Sequence, residues 1–150
     1  MTTRVLFVCS GNICRSPMAL YLMRARVEQL QLPVELDSAG TLGIIDRAPP
    51  PNALAVMREI GVSMDDHRSK GVTTELMTWA DRVVVMTYEH ASTLRERYPD
   101  AQCDIELLGP YGGKSPEVDD PMGRWRGTFR RVRRQIEGCI EGLVRSIEGP

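Results

Sequence analysis

The chain is poor in aromatic residues, with two phenylalanines, two tryptophans and four tyrosines among 150 residues. Few rings are therefore on hand to wall a binding pocket. It has only two histidines, His67 and His90, too isolated to complete a zinc site with the four cysteines, whose spacings match no finger or ribbon. No stretch approaches the ~18 consecutive apolar residues of a membrane-spanning helix. No apolar segment with a small-residue cleavage site follows Met1, so a cytoplasmic location is expected. In that compartment Cys9, Cys14, Cys103 and Cys139 stay reduced, which turns attention from disulfides to thiol chemistry. Charge of one sign is lacking too: the net charge of -1 draws the chain to neither nucleic acid nor an acidic membrane. What remains is ordinary for one globular domain over residues 1–150, at 42% hydrophobic and 26% charged residues.

Arg4 to Cys9 is nearly all apolar, the pattern of a strand buried on both faces. A polar loop follows, and Ser16-Pro17 signals a helix start, with a serine cap and proline at the first helical position. That helix runs to about Gln31, since Pro33 cannot extend it. Val34 to Ser38 reads as a second strand. Thr41 to Pro51, with a glycine and three prolines, reads as a loop. Helices are expected over Asn52 to Ile60, from a Thr73 cap through Trp79, and over Tyr88 to Tyr98. Val83 to Met86 and Ile105 to Leu108 read as further strands. Gly109 to Gly123 is a long surface loop. Phe129, Val132, Ile136, Ile140, Leu143 and Ile147 then form one apolar helical face. Gly138 and Gly142 weaken that helix unless they permit close packing. Strands alternating with helices imply an α/β fold, a parallel sheet covered on both sides in three α/β/α layers. Ligands in such folds bind beyond the carboxyl ends of the strands, where the Cys9 loop lies.

The loop spells C-x5-R-S from Cys9 to Ser16. A loop entering a helix N-terminus points backbone N–H groups inward, and with the helix dipole these cradle an anion. Ser10, Gly11, Asn12, Ile13, Cys14 and Arg15 would form that cradle. Gly11 allows a turn that a side chain would obstruct, and Asn12 tolerates a left-handed conformation. Cys9, facing the cradle, is favoured as a thiolate nucleophile, with Ser16 donating a hydrogen bond to it. Arg15 offers a planar fork matching two phosphate oxygens. A cysteine at a strand end is ordinarily a small buried residue; the company of Arg15, Ser16 and Pro17 argues otherwise. Cys14 fits plain loop packing, and is also near enough in sequence to trap an oxidised Cys9 as a disulfide.

A cysteine phosphatase also needs an acid for the leaving atom and a base for water, and one carboxyl can serve both steps. The candidates are Asp119 and Asp120, before Pro121 on the long loop. Pro121 restricts the backbone ahead of it, which helps aim a side chain, though Asp-Pro also makes plain turns. The residue types alone do not separate the two aspartates.

Cys9-Ser10-Gly11-Asn12-Ile13-Cys14-Arg15-Ser16-Pro17 resembles the signature of the low-molecular-weight protein-tyrosine phosphatases. The resemblance extends through Asp37-Ser38-Ala39-Gly40-Thr41, His67-Arg68-Ser69, Ala80-Asp81, Met86-Thr87 and Asp120-Pro121. It implies a four-stranded parallel sheet, the phosphate loop between its first strand and first helix, a phosphocysteine intermediate, and no metal or other cofactor. It further implies Cys9 as nucleophile, Arg15 as phosphate clamp, Asp120 as general acid and base with Asp119 a bystander, and His67 buttressing Asn12. A phosphorylated protein is the expected partner, and a monomer or weak dimer the expected state.

Members acting on phosphotyrosine commonly carry an aromatic residue after Asp-Pro, where this chain has Met122, and an aromatic wall in the loop where it has only Ile44 and Ile45. Trp125 is a candidate to fold back over a mouth otherwise formed by Ile13, Ile44 and Met122. A branch resembling this family removes phosphate from arginine and tends to have threonine in place of Ile13. A bulky Ile13 suits a flat ring and crowds a phosphoguanidinium, so phosphotyrosine is the expected substrate and phosphoarginine the alternative. An arsenate reductase would need two relay cysteines close in sequence, whereas Cys103 and Cys139 are 36 positions apart. A non-catalytic phosphate-binding module would not need Cys9, Arg15 and an acid together. The arginines from Arg124 to Arg134 read as a solvated face or as an attractor of acidic substrates.

Overall fold

The computed structural model describes residues 1–149. Four parallel strands form one sheet: β1 (Thr3–Cys9), β2 (Val34–Gly40), β3 (Arg82–Val85) and β4 (Asp104–Leu107), in the order β2-β1-β3-β4. Five helices connect or follow them: α1 (Arg15–Leu30), α2 (Pro51–Arg58), α3 (Thr74–Trp79), α4 (Tyr88–Arg97) and α5 (Arg126–Glu148). Parallel strands need crossovers, and the helices supply them.

Alternate residues of the central strands face opposite layers. Val5, Phe7, Val84 and Met86 pack with buried residues of α1, α2 and α5. Leu6, Val8, Val83 and Val85 pack with those of α3 and α4. The expected three layers are therefore present. Among the described residues no helix is long and apolar enough to cross a membrane.

The strand order places a switch point between β1 and β3. The chain leaves β1 toward β2 on one side and leaves β3 toward β4 on the other. Loops after the two strands diverge, and the crevice between them is where ligands bind in such sheets. The Cys9 loop and the Thr87 turn into α4 flank this crevice.

Several local expectations change. The N-cap of α1 is Cys14, with no side-chain cap, and Ser16 lies inside the first turn. Ser16 is not available as a cap because its hydroxyl is bonded to the Cys9 sulfur. Gly11 has no positive φ, and a Cβ there would make ordinary contact with Ile13, 3.4 Å away; the left-handed turn falls on Asn12, at φ 58°. The close approach belongs to Gly40 instead, where a Cβ would stand 2.6 Å from the Ser10 carbonyl oxygen. Within α5, Gly142 permits tight packing, since a Cβ would collide with the Tyr111 carbonyl, whereas Gly138 has open space beside it. Residues 109–112 form a single 3-10 turn at the start of the long loop.

The basic start of α5 divides in two. Arg130 makes paired hydrogen bonds with Glu59 at 2.9 and 2.6 Å. Arg133, 5% exposed, donates to Glu59, to Glu137 and to the Val56 carbonyl. The hydrogen bond from Arg130, reinforced by Arg133, holds the Glu59 carboxyl down at about 2. These two arginines clip α5 to α2 and are structural. Arg124 and Arg134 form no ion pair among the described residues, leaving them with Arg131 as solvated charge.

Candidate active site

β1 delivers Cys9 to the crevice as its last residue, 2% exposed. Its sulfur lies 3.0 Å from the Ser16 Oγ and 3.3 Å from the backbone nitrogen of Asn12. Asn12, fully buried, organises the loop. The backbone N–H of Lys70 can only donate, so the Asn12 side-chain oxygen accepts from it at 3.0 Å and the amide orientation is settled. The amide nitrogen then donates to Ser16 Oγ at 2.8 Å and to Ser38 Oγ at 2.9 Å. Because Ser16 accepts from Asn12, its own proton is free for Cys9. An O–H and a backbone N–H thus converge on the sulfur, an arrangement suited to an anionic nucleophile.

His67 supports the loop from beneath. Its Nε2 lies 2.8 Å from the Asn12 carbonyl oxygen and donates to it. Burial pushes the His67 pKa down, with the Asn12 carbonyl opposing. Tyr21 stands edge-on to the ring, centroids 6.1 Å apart. The structure thereby brings Asn12, Ser16 and His67 together around Cys9.

Arg15 is 4% exposed. One guanidinium nitrogen donates to the Val118 carbonyl at 3.0 Å, and another stands 3.9 Å from the Asp120 carboxylate. Val118 is itself pinned, its N–H donating to the Met86 carbonyl at 2.9 Å. Arg15 and the loop that carries Asp120 therefore touch although 103 positions separate Arg15 from Val118. The two aspartates, inseparable by residue type, point to different partners. Asp119 lies on the surface 3.6 Å from Arg131, and Asp120 turns toward Arg15. Asp120 also accepts from the Met122 backbone N–H at 3.0 Å, an Asx turn that holds its carboxyl over the loop.

Ile13, 7% exposed, converges with Ile44 over Gly11. The Cys14 thiol points at the Met122 thioether, 3.3 Å away. Cys14 is 3% exposed, and burial pushes its thiol far up, with Cys9 and Asp120 adding to the shift. Ile13 and Ile44 over Gly11, and Met122 against Cys14, are thus brought beside the Cys9 loop. Trp125 is not: it is the N-cap of α5 and is 86% exposed, so it covers nothing.

All four cysteines are free. Cys139 packs in the α1 and α5 layer, and Cys103 against the α3 and α4 layer. The sheet stands between them, which removes the basis for a thiol relay. Among the described residues no group of three or more histidine, cysteine or acidic side chains could hold a metal ion.

Sequence reasoning missed His90. Its Nε2 lies 2.8 Å from Ser10 Oγ, and it closes a capping box with Thr87 at the start of α4. The Thr-x-x-His spacing after a buried strand was a usable signal, but not for a partner eighty positions away.

Taken together, the site can bind an anion at a helix start, attack it with sulfur, clamp it with Arg15 and offer a carboxyl to the leaving atom. Comparison with known proteins agrees. The family model for low molecular weight phosphotyrosine protein phosphatase matches residues 4–149. A protein-arginine-phosphatase from Geobacillus stearothermophilus is 35% identical, covering 99% of this chain and 98% of the relative. A low molecular weight protein-tyrosine-phosphatase from Acinetobacter johnsonii is 32% identical over 95% of this chain and 96% of its own. Among solved structures, the arginine phosphatase YwlE, as a cysteine-to-serine mutant with a phosphorylated active-site serine, superposes with a TM-score of 0.92 at 28% identity, covering 97% of this chain and 96% of its own. A covalent phosphoryl group on the loop nucleophile fits the geometry around Cys9. The chain belongs to the low molecular weight phosphotyrosine protein phosphatase family and is a cysteine-dependent phosphatase working through a phosphocysteine.

Proposed function

We propose that this phosphatase acts on phosphoarginine side chains of proteins. The observation that carries the reading is the mouth, whose walls are aliphatic and thioether groups from Ile13, Ile44 and Met122, with Trp125 turned out to solvent. No ring among these residues stacks on a phenyl group. An arginine stem needs only apolar contact, and its guanidinium finds Asp120 at the rim. Ile13 and Ile44, both beside Gly11, supply that apolar contact. Similarity to the Geobacillus arginine phosphatase along 99% of the chain points the same way.

Cys9 attacks phosphorus, and the bond from phosphorus to the leaving atom breaks as Asp120 protonates that atom. Arg15 and the loop N–H groups hold the equatorial oxygens through the transfer. Asp120, now a carboxylate, takes a proton from water. The resulting oxygen nucleophile displaces the sulfur, releasing phosphate and the Ser16-bonded thiolate.

A second reading, phosphotyrosine, is favoured by Ile13 itself, where the arginine branch resembles a threonine site, and by the Acinetobacter relative. Matched peptides bearing phosphoarginine or phosphotyrosine in one sequence separate the two. The expected result is at least tenfold higher kcat/KM for phosphoarginine. The reverse order establishes the tyrosine reading. Hydrolysis retained by Cys9→Ser overturns both.

A further inference from the structure

Ser10 and His90 face each other across the switch-point crevice, one directly after β1 and the other the third residue of α4, the helix that follows β3. The Ser10 Oγ to His90 Nε2 distance is 2.8 Å. The direction of this bond follows from the other side of the ring. His90 Nδ1 lies 3.2 Å from the backbone nitrogen of Thr87, and an amide N–H can only donate. Nδ1 is therefore the acceptor, and a neutral ring carries its proton on Nε2. Burial, aided by the nearby Arg15 charge and opposed by Asp120 and Glu117, favours the neutral ring. Nε2–H thus donates to Ser10, which fills one acceptor direction of the hydroxyl. The hydroxyl proton itself has no acceptor among the hydrogen bonds of the described residues. Ser10 is half-buried, on the first residue of the anion cradle and adjacent to the nucleophile.

We propose that the Ser10 hydroxyl is a further donor to the phosphoryl oxygens of bound substrate, and that His90 is the positioning residue that aims it. The chain of donors runs from the His90 ring to the Ser10 hydroxyl to the anion, each bond polarising the next. A ring fixed on one side by the Thr87 amide cannot reverse this direction without breaking the cap of α4. The pair therefore presents a donor, never an acceptor, to the anion. The inference rests on the Cys9 loop being the phosphoryl site, and it holds for either substrate.

Inorganic phosphate, as a competitive inhibitor of para-nitrophenyl phosphate hydrolysis, reads this contact without the choice of substrate intervening. Ser10→Ala is expected to raise the phosphate inhibition constant and KM about tenfold, the scale of one hydrogen bond to a charged group. His90→Phe is expected to raise them by a similar factor, and the double variant no further than Ser10→Ala alone. His90→Gln restores part of the affinity, since an amide can accept from Thr87 and donate to Ser10. A structural role alone would lower the melting temperature without this coupling or rescue. An unchanged phosphate constant in Ser10→Ala overturns the proposal, and so do single losses that multiply in the double variant. Should His90→Phe not fold, Ser10→Ala and His90→Gln still decide the matter. Hydrolysis surviving Cys9→Ser would instead remove the phosphoryl site on which the proposal stands.

Discussion

Replacing Asn12 with alanine tests how the nucleophile loop is held. The side chain is fully buried and makes three hydrogen bonds, to Ser16, Ser38 and the Lys70 N–H. Each contributes about 1 kcal/mol net, and no water reaches a site with no exposed surface to replace them. The residue also sits at φ 58°, which costs an alanine about 1 kcal/mol more. The sum is a loss of about 4 kcal/mol, large against a typical total of ~5–15 kcal/mol yet small enough to leave the chain folded at 25 °C. Asn12→Gly removes the same bonds without the left-handed penalty, so it is expected to be no less stable than the alanine variant. Chemistry should suffer with stability, because Ser16 loses the donor that turns its proton toward Cys9. Urea unfolding measures the first effect, and iodoacetate alkylation of Cys9 at pH 7, expected to slow several-fold, measures the second. Destabilisation below about 1 kcal/mol with an unchanged alkylation rate would refute the reasoning.

His90 gives stability a pH dependence. Burial and the Arg15 charge hold its folded pKa down to about 4, against the approximately 6.5 of an unfolded histidine. The unfolded chain binds the proton first, so this contribution is present above pH 6.5 and is lost as pH falls toward 4. By pH 5 the loss is about 2 kcal/mol, and denaturant titrations should show a shallower acid limb in His90→Gln than in the parent. Asp120 and Glu117 oppose the shift, so removing either should lower the folded pKa further and extend the limb to lower pH. Cys14, buried beside Cys9, is expected to protect it: peroxide inactivation should be reversed by dithiothreitol in the parent and not in Cys14→Ser, and equal recovery would assign Cys14 to packing alone. For acidic phosphopeptides, kcat/KM is expected to fall at high salt, and to fall less in Arg124→Ala/Arg134→Ala, because those arginines have no ion-pair partner among the described residues.

The sheet and the Cys9 loop were readable because their signals are local. A buried run ending in cysteine, a polar loop and Ser16-Pro17 lie within a dozen or so residues, and strand burial on two faces leaves few alternatives. The alternating elements then fix the layers, and the apolar stripe of α5 packs as its spacing predicts. What failed to read out depends on competition between distant partners. Ser16 looked like a cap until a sulfur seven residues away took its hydroxyl. Asp119 and Asp120 are chemically equal, and only Arg131 and Arg15, from two different helices, tell them apart. Trp125 had the right size to cover the mouth, but as the N-cap of α5 its direction is set by that helix. His90 carries no motif of its own, and its meaning comes from Ser10 in the loop after β1.

The start of α4 shows one more consequence of that histidine. A capping box most often closes with a glutamate or glutamine at the third helical position. A glutamate there would place a full negative charge at the rim where a phosphoryl dianion must arrive. Histidine performs the same reciprocal bonding with Thr87 while uncharged, and its second nitrogen remains for Ser10. The helix is closed, and the approach of the anion meets no like charge from the residue that closes it.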